Sequence, residues 1–321
     1  MNHSFLTAVR EDFEAVDNLI RSSLSSHVPL VEEIANYLVA AGGKRLRPLL
    51  VLLSAKANGY QGKEHIKLAT IIEFLHTAML LHDDVVDQSM MRRGRKTVNA
   101  QWGNPSSVLV GDFLHSRAFE MMVEIGDLRV MQILSRATNV IAEGEVKQLC
   151  SIRNPKTTEA EYMDIITCKT AMLFQAASHA GAVLAGADKN TEKSLKTYGR
   201  HLGISFQLVD DLLDYEGDAV TLGKNVGDDL AEGKVTLPII EAMRNCSHED
   251  KAFICNAITS GGVDNLQEMI SLVKSTGALA YTEHLANTER QRALVSLSKI
   301  NESPYKSAMT GLINFVIDRQ H

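Results

Sequence analysis

Residues 69 to 86 read ATIIEFLHTAMLLHDDVV and Asp87 follows, so a helix here is apolar on nearly every face until carboxylates close the run. A helix of this kind has to be surrounded by other elements, and that requirement limits the possible folds more than any other stretch does. About 20 helical residues rise about 30 Å, the width of a whole domain. A chain of 321 residues with 45% apolar content can supply the surrounding shell. Only six prolines interrupt it, and Ala, Leu, Glu and Lys throughout favour long helices over many short strands. Apolar positions recur at helical spacing in VEEIANYLVAAG, in SVLVGDFLHSRAFEMMVEIG and in VMQILSRATNVIAEGEVKQL. The expected architecture is all-α, one domain over residues 1–321 of about ten or more helices. One helix is expected to start near Ser106 and another to be capped by Thr158 in a Thr-x-x-Glu pattern.

The net charge of −6 and pI near 6.0 argue against a general nucleic-acid or anionic-membrane binder, since both partners repel an acidic surface. No apolar run reaches the 18 or more residues of a membrane span. The amino-terminal MNHSFLTAVREDFEAVD carries acids where a secretory signal is apolar. Cys150, Cys168, Cys246 and Cys255 show neither CxxC nor zinc spacing and read as reduced core thiols of a cytoplasmic protein.

Asp83 and Asp87 lie four residues apart on one side of the helix, with Asp84 offset by about 100°. One such cluster is most simply a hydrated helix end. A second, Asp210, Asp211 and Asp214 in FQLVDDLLD, repeats the pattern after another apolar run. Six carboxylates at the mouths of two buried helices suit hard divalent cations, above all Mg²⁺. Mg²⁺ shares substrate phosphates, so the expected ligand is a diphosphate bridged between the clusters. The anion needs cations nearby. Lys44, Arg45 and Arg47 stand in GGKRLRP; Arg92, Arg93 and Arg95 follow the first cluster; Lys169, Lys224 and Lys234 flank the second. Arg offers phosphate a bidentate fork, and Lys a point charge.

These stretches, GGKRLRPLL, EFLHTAMLLHDDVVDQSMMRRGR, VLVGDFL, CKTAMLF, FQLVDDLLDY and LGKNVGDDLAEGKVTLP, resemble the trans-isoprenyl diphosphate synthases, and among them the bacterial long-chain polyprenyl synthases of octaprenyl type. The resemblance runs in order from about residue 40 to 240. It implies a single helical bundle of the isoprenoid synthase type around a deep central cavity, usually a homodimer. It also implies head-to-tail condensation of isopentenyl diphosphate onto an allylic diphosphate such as farnesyl diphosphate, in the service of quinone side chains. Carried over by motif, Asp83, Asp87 and Asp210 are Mg²⁺ ligands for two or three ions bridged by substrate diphosphate, with Asp84, Asp211 and Asp214 beside or behind them. Lys44, Arg47, His76 and Arg93 are implied to hold isopentenyl diphosphate, and Arg92, Lys169, Thr170, Gln207, Lys224 and Lys234 the allylic partner. Val235 departs from the Pro that relatives commonly carry after Gly-Lys.

The chemistry asks for no nucleophilic Ser or Cys. Ionising the allylic C–O bond requires the leaving diphosphate's charge to be stabilised by fixed cations, the double bond then attacks, and diphosphate can take the proton. Gln207 and Thr170 can offer dipoles to the cation. Ala78 and Met79, about 7.5 Å and one turn before Asp83, are expected to face the growing chain, with Met121 and Met122 as floor candidates. Small Ala78 leaves the path open. The alternatives are a shorter- or longer-chain synthase and a non-catalytic subunit of a heteromeric one, although such subunits tend to lose a cluster that this chain retains. A terpene cyclase would carry a different second metal motif in place of DDLLD.

Overall fold

The computed structural model describes residues 4–40, 42–216, 227–260 and 266–318. Contacts gather the chain into two compact units, and the boundaries at Thr138, Gly199, Leu294 and Leu312 fall inside helices. Among the described residues no helix is long and apolar enough to cross a membrane.

The first unit falls within Met1–Thr138, Leu173–Gly199 and Val295–Leu312. In order it contains α1 (Ser4–Thr7), α2 (Arg10–Ser23), α3 (Pro29–Ala40), α4 (Leu46–Ala57) and α5 (Glu64–Val86). A two-stranded ribbon comes next, β1 (Met91–Arg92) and β2 (Arg95–Lys96), and then α6 (Val98–Trp102) and α7 (Asn104–Ile125). The all-α expectation holds, with this two-residue-per-strand ribbon the one addition among the described residues; MR and RK lack the apolar alternation that marks a strand. The segment read as buried on every side is α5, which packs against α2, α4 and α7 and buries Leu68, Ile71, Ile72, Phe74, Leu75 and Leu81. Burial of side chains of this size contributes roughly 1.5–3 kcal/mol each, so the packing overrides the repulsion stored at the helix end.

Two close approaches set the spacing within this unit. At Gly111 of α7 a Cβ would lie 2.4 Å from the His82 ring, and beside it Ser107 donates to the Leu81 carbonyl at 2.8 Å. At Gly181 of α10 (Met172–Leu184) a Cβ would lie 2.7 Å from the Val51 carbonyl oxygen, and Ser54 and Ser178 hydroxyls meet at 3.0 Å. The helix expected near Ser106 begins at Asn104, because Pro105 suits the first helical turn, where no N–H is needed.

The second unit falls within Asn139–Met172, Arg200–Leu294 and Ile313–His321. Its core joins Tyr162, Ile166, Leu208, Leu212, Leu237 and Ile254, among others. It takes the end of α8 (Leu128–Ser151), then α9 (Glu159–Ile166), a π-helical turn over Thr167–Ala171 and the carboxyl-terminal part of α11 (Lys189–Glu216). The Thr158 cap is present as a full box: its hydroxyl accepts from the Glu161 N–H, and the Glu161 carboxylate accepts from the Thr158 N–H at 2.8 Å. All four cysteines are free, but Cys150 is exposed and only Cys168 is buried. Cys150 lies in the last turn of α8, on a side that nothing in its own unit covers, which corrects the reading of all four as core thiols.

Candidate active site

Asp87 is the C-cap of α5, and its N–H still donates to the Asp83 carbonyl at 2.8 Å, so the two side chains keep their one-turn relation. The three acids of the cluster meet different surroundings. Asp83 and Asp87 are half-buried. Asp84 is 3% exposed, and its Oδ1 accepts two hydrogen bonds from Arg92, from Nε at 2.9 Å and Nη2 at 2.7 Å. Burial pushes the Asp84 carboxyl above its ordinary range, against the pull of Arg92.

Beyond the helix the chain turns through Gln88 at φ 54°. The Ser89 N–H returns to the Asp84 carbonyl at 3.0 Å. Asn99 donates to the carbonyls of Asp84 and Ser89, each at 3.1 Å, which closes the helix end. Sequence reasoning missed Asn99, whose only signal was its nearness to the cluster. Arg93 at φ 52° and Gly94 at φ 72° form the two-residue turn of the ribbon, the left-handed pair that a type I′ hairpin needs. That turn sends Arg92 to Asp84 and Arg93 to the Gly42 carbonyl. A Cβ on Gly43 would lie 2.6 Å from Arg93 Nη1, so the glycines before Lys44 leave a slot for a guanidinium.

Arg47 packs over the Phe174 ring at 4.2 Å and meets His76 Nε2 at 3.1 Å. Guanidinium can only donate, so His76 Nε2 accepts and the proton sits on Nδ1. Burial, then the charges of Arg47, Arg93 and Arg92, drive the His76 pKa well down, and the ring is neutral. Glu73, one turn earlier, is pushed up by burial and pulled back by Arg45, Arg47 and Arg93. Arg45, at φ 44°, pairs with Asp17. A partly open cavity is lined by Tyr37, Glu73, His76, Asp84, Arg92 and Arg93, among others. It is a cationic pocket beside an acidic helix end, with a neutral imidazole available as donor.

The α5 residues on this cavity also include Phe74, Thr77, Leu80 and Leu81, but not Ala78 or Met79. Ala78, Met121 and Met122 are buried, and Met79 is half-buried. Lys44 is exposed ahead of α4.

In the second unit Asp210 is half-buried, whereas Asp211 is 1% exposed and Asp214 fully buried. Asp211 Oδ1 accepts from Gln207 Nε2 at 2.8 Å and Oδ2 from the Tyr162 hydroxyl at 2.5 Å. Burial pushes the Asp211 carboxyl up to about 8, aided by the charge of Asp229 and opposed by its two donors. Asp214 holds the following segment: its carbonyl accepts from Gly227 N–H at 2.9 Å and its Oδ2 from Asp229 N–H at 3.4 Å. Thr170 donates to Gln207 Oε1 at 2.8 Å. Lys169 pairs with Glu145 at 2.5 Å, and Lys234 with Glu232 at 2.6 Å. A Cβ on Gly144 of α8 would lie 2.8 Å from the Lys169 backbone nitrogen, so that glycine lets α8 reach the π-helical turn.

Tyr162, Lys169, Thr170, Gln207, Asp211 and Lys234 line one pocket together with Val235. Lys224 lies outside the described residues. Among the described residues no three His, Cys, Asp or Glu side chains converge as a preformed metal cage.

A family model described as Polyprenyl synthetase matches residues 28–273. The chain is 46% identical over 310 residues to the octaprenyl diphosphate synthase of Escherichia coli K12, covering 96% of each chain. It is 47% identical over 315 residues to an all-trans-nonaprenyl-diphosphate synthase (geranyl-diphosphate specific) of Rhodobacter capsulatus, covering 98% and 97%. A crystal structure of a polyprenyl synthase from Caulobacter crescentus, complexed with calcium and isoprenyl diphosphate, superposes with a TM-score of 0.96 at 42% identity over 99% and 98% of the two chains.

Proposed function

From a chain that belongs to the polyprenyl synthetase family and has the helical fold of the isoprenoid synthases, we infer a long-chain all-trans polyprenyl diphosphate synthase. It condenses isopentenyl diphosphate with an allylic diphosphate such as farnesyl diphosphate. One observation carries the reading: a cavity in which Arg92, Arg93 and a neutral His76 adjoin Asp84 at the end of an apolar helix. A diphosphate head meets cations there, and the helix behind it is hydrocarbon-like, which is the amphipathic form of a prenyl diphosphate. Residues 1–321 are proposed to be one synthase domain, in keeping with a family match that runs continuously over residues 28–273.

The donor set fits Mg²⁺. Half-buried Asp83, Asp87 and Asp210 offer hard oxygens, and Mg²⁺ completes its shell with waters and substrate phosphates. The calcium and isoprenyl diphosphate of the Caulobacter relative accord with a divalent ion beside this substrate. When bound, the ions neutralise charge on the departing diphosphate. The remaining work falls to the protein. Arg47 and Arg93 hold one diphosphate, and His76, oriented by Arg47, adds its Nδ1 proton. Arg92, Lys169 and Lys234 stabilise the charge that grows on the leaving group. Thr170 and Gln207 present oxygens to the allylic cation. The proton lost after attack passes to the released diphosphate.

We assign eight isoprene units, as in the octaprenyl relatives; the similar identity to a nonaprenyl synthase makes product length the quantity to measure. Ala78 and Met79 are assigned to the path of the growing chain and Met122 to its floor. The synthase is proposed to be a cytoplasmic homodimer supplying quinone side chains, and Leu109 and Val123, both largely exposed on α7, are surface that association would cover.

The test is incorporation of radiolabelled isopentenyl diphosphate with farnesyl diphosphate and Mg²⁺, with chromatography of the dephosphorylated products. Long-chain product from the chain alone is expected, and none after chelation. Product only on addition of a second protein would replace this reading with a heteromeric subunit. Ala78→Tyr is expected to shorten the product, and an unchanged length would remove Ala78 from the path.

A further inference from the structure

Tyr162 is not among the residues assigned to substrate or metal, yet its hydroxyl ends a chain of hydrogen bonds leading to the reacting groups. Thr170 donates to Gln207 Oε1, Gln207 Nε2 donates to Asp211 Oδ1, and Tyr162 donates to Asp211 Oδ2. With Asp211 ionised each link has one direction, because both carboxylate oxygens then only accept. The two ends of a glutamine amide are nearly identical in shape and differ only in what they can donate or accept. A carboxylate oxygen facing the amide selects its nitrogen, which leaves Oε1 for the Thr170 hydroxyl. Oε1 has a second lone pair, and both Gln207 and Thr170 line the pocket that Lys169 and Lys234 also line. A positive centre forming there would meet two oxygens. With the amide inverted, it would meet an N–H dipole of the wrong sign.

The Tyr162 proton keeps the relay in this sense. Because the phenol donates to Oδ2, that oxygen is an acceptor and the carboxylate plane is held at two points. Without the phenol, Asp211 keeps only Gln207. It can then turn about its own bond, and the amide is no longer held against a fixed acceptor. The local structure serves this geometry. The Thr158 capping box starts α9 so that Tyr162 falls on its inner face, 4% exposed. The π-helical turn at Thr167–Ala171 then adds a residue to the helix path, rotating the succeeding positions by about 100° and bringing Thr170 to Gln207.

We propose that Tyr162 is a positioning residue of the condensation, acting through Asp211 to hold the Gln207 amide with its oxygen toward Thr170 and the pocket. This rests on the synthase reading. Tyr162 also belongs to the core of its unit, and Tyr162→Phe keeps the ring while removing only the relay's last donor.

The experiment compares steady-state kinetics of the full-length wild type, Tyr162→Phe, Gln207→Leu and the double variant, with thermal melts of each. Tyr162→Phe is expected to lower kcat on the order of tenfold, the effect of one hydrogen bond to a charged group, with KM for isopentenyl diphosphate and the melt nearly unchanged. In the Gln207→Leu background the same substitution is expected to cost nothing further, since the amide it orients is gone. A wild-type kcat in Tyr162→Phe, or an equal loss on top of Gln207→Leu, overturns the proposal while leaving the synthase reading intact. An inactive wild type overturns both.

Discussion

The two aspartate clusters share a pattern in sequence and differ in how the protein compensates them. In each, the middle acid is buried. Asp84 is held by a guanidinium, whereas Asp211 is held by a phenol and an amide. The first arrangement keeps a charge pair. The second gives the carboxyl, among the described residues, two neutral donors, and its pKa rises to about 8. Asp83, Asp87 and Asp210 stay half-buried, whereas Asp214, the last acid of the second cluster, is fully buried, so each motif divides into residues that hold the site in shape and residues that can reach a ligand.

The largest expected effect separates those two groups. Asp83→Ala and Asp210→Ala are expected to lower kcat on the order of 10³-fold, the scale of losing electrostatic stabilisation of a leaving group, with melts close to wild type. If either variant instead loses its stability and keeps its rate, the division between outer and middle acids is wrong.

Next comes the contrast between the middle acids. Asp84→Asn removes the anionic partner of Arg92, whose side chain is 39% exposed, so the discounted cost is about 1–2 kcal/mol. In the metal-free protein Asp211→Asn replaces a carboxyl that takes up a proton below its raised pKa with a neutral group of the same shape. Its cost near neutral pH is expected to be under about 1 kcal/mol. Denaturant titrations of the two variants in the absence of metal check the order.

The pH dependence sharpens the comparison further. The folded pKa of Asp211 lies above its ordinary value of 3.8, so the folded state binds the proton more tightly than the unfolded state does. The associated stability is complete below the unfolded pKa and is lost as pH rises through about 8. Metal-free wild type is therefore expected to lose stability relative to Asp211→Asn between pH 5 and pH 8.5. Melts that run parallel across that range would assign Asp211 a charge partner beyond the two donors seen among the described residues.

The smallest effect concerns the slot for Arg93. Gly43→Ala places a Cβ 2.6 Å from a guanidinium nitrogen, and the flexible arginine can withdraw. KM for isopentenyl diphosphate is expected to rise a few fold, roughly the loss of one well-aligned charged contact, with kcat retained. An unchanged KM would mean that Arg93 does not hold that substrate.

Much of the fold and of the site was legible in the chain alone. Apolar residues at helical spacing sit in α3, α7 and α8 as read, because that periodicity is a property of the chain itself. The repeated DDxxD, the RRG after it and the ordered basic stretches named the family, since each type of group has only a few chemical uses. The ribbon at Met91–Lys96 was missed because its signal was backbone handedness at Arg93 and Gly94, unaccompanied by apolar alternation. Glu73, Asn99 and Tyr162 were missed because each takes its meaning from a partner at another point of the chain. Tyr162 and Asp211 lie 49 residues apart, and nothing in YMDII indicates which acid the tyrosine serves.

The sequence alone determined that long helices would bury an apolar axis, that acids would end two of them and that cations would stand near; composition and local spacing require as much. Only the tertiary structure decided which acids of each trio turn inward, that Arg92 binds the Asp84 carboxylate while Arg93 turns to the Gly42 carbonyl, and that His76 is neutral. Those outcomes depend on burial and on donors brought in from distant segments, where the cost of an unpaired charge selects one partner among several of the same type.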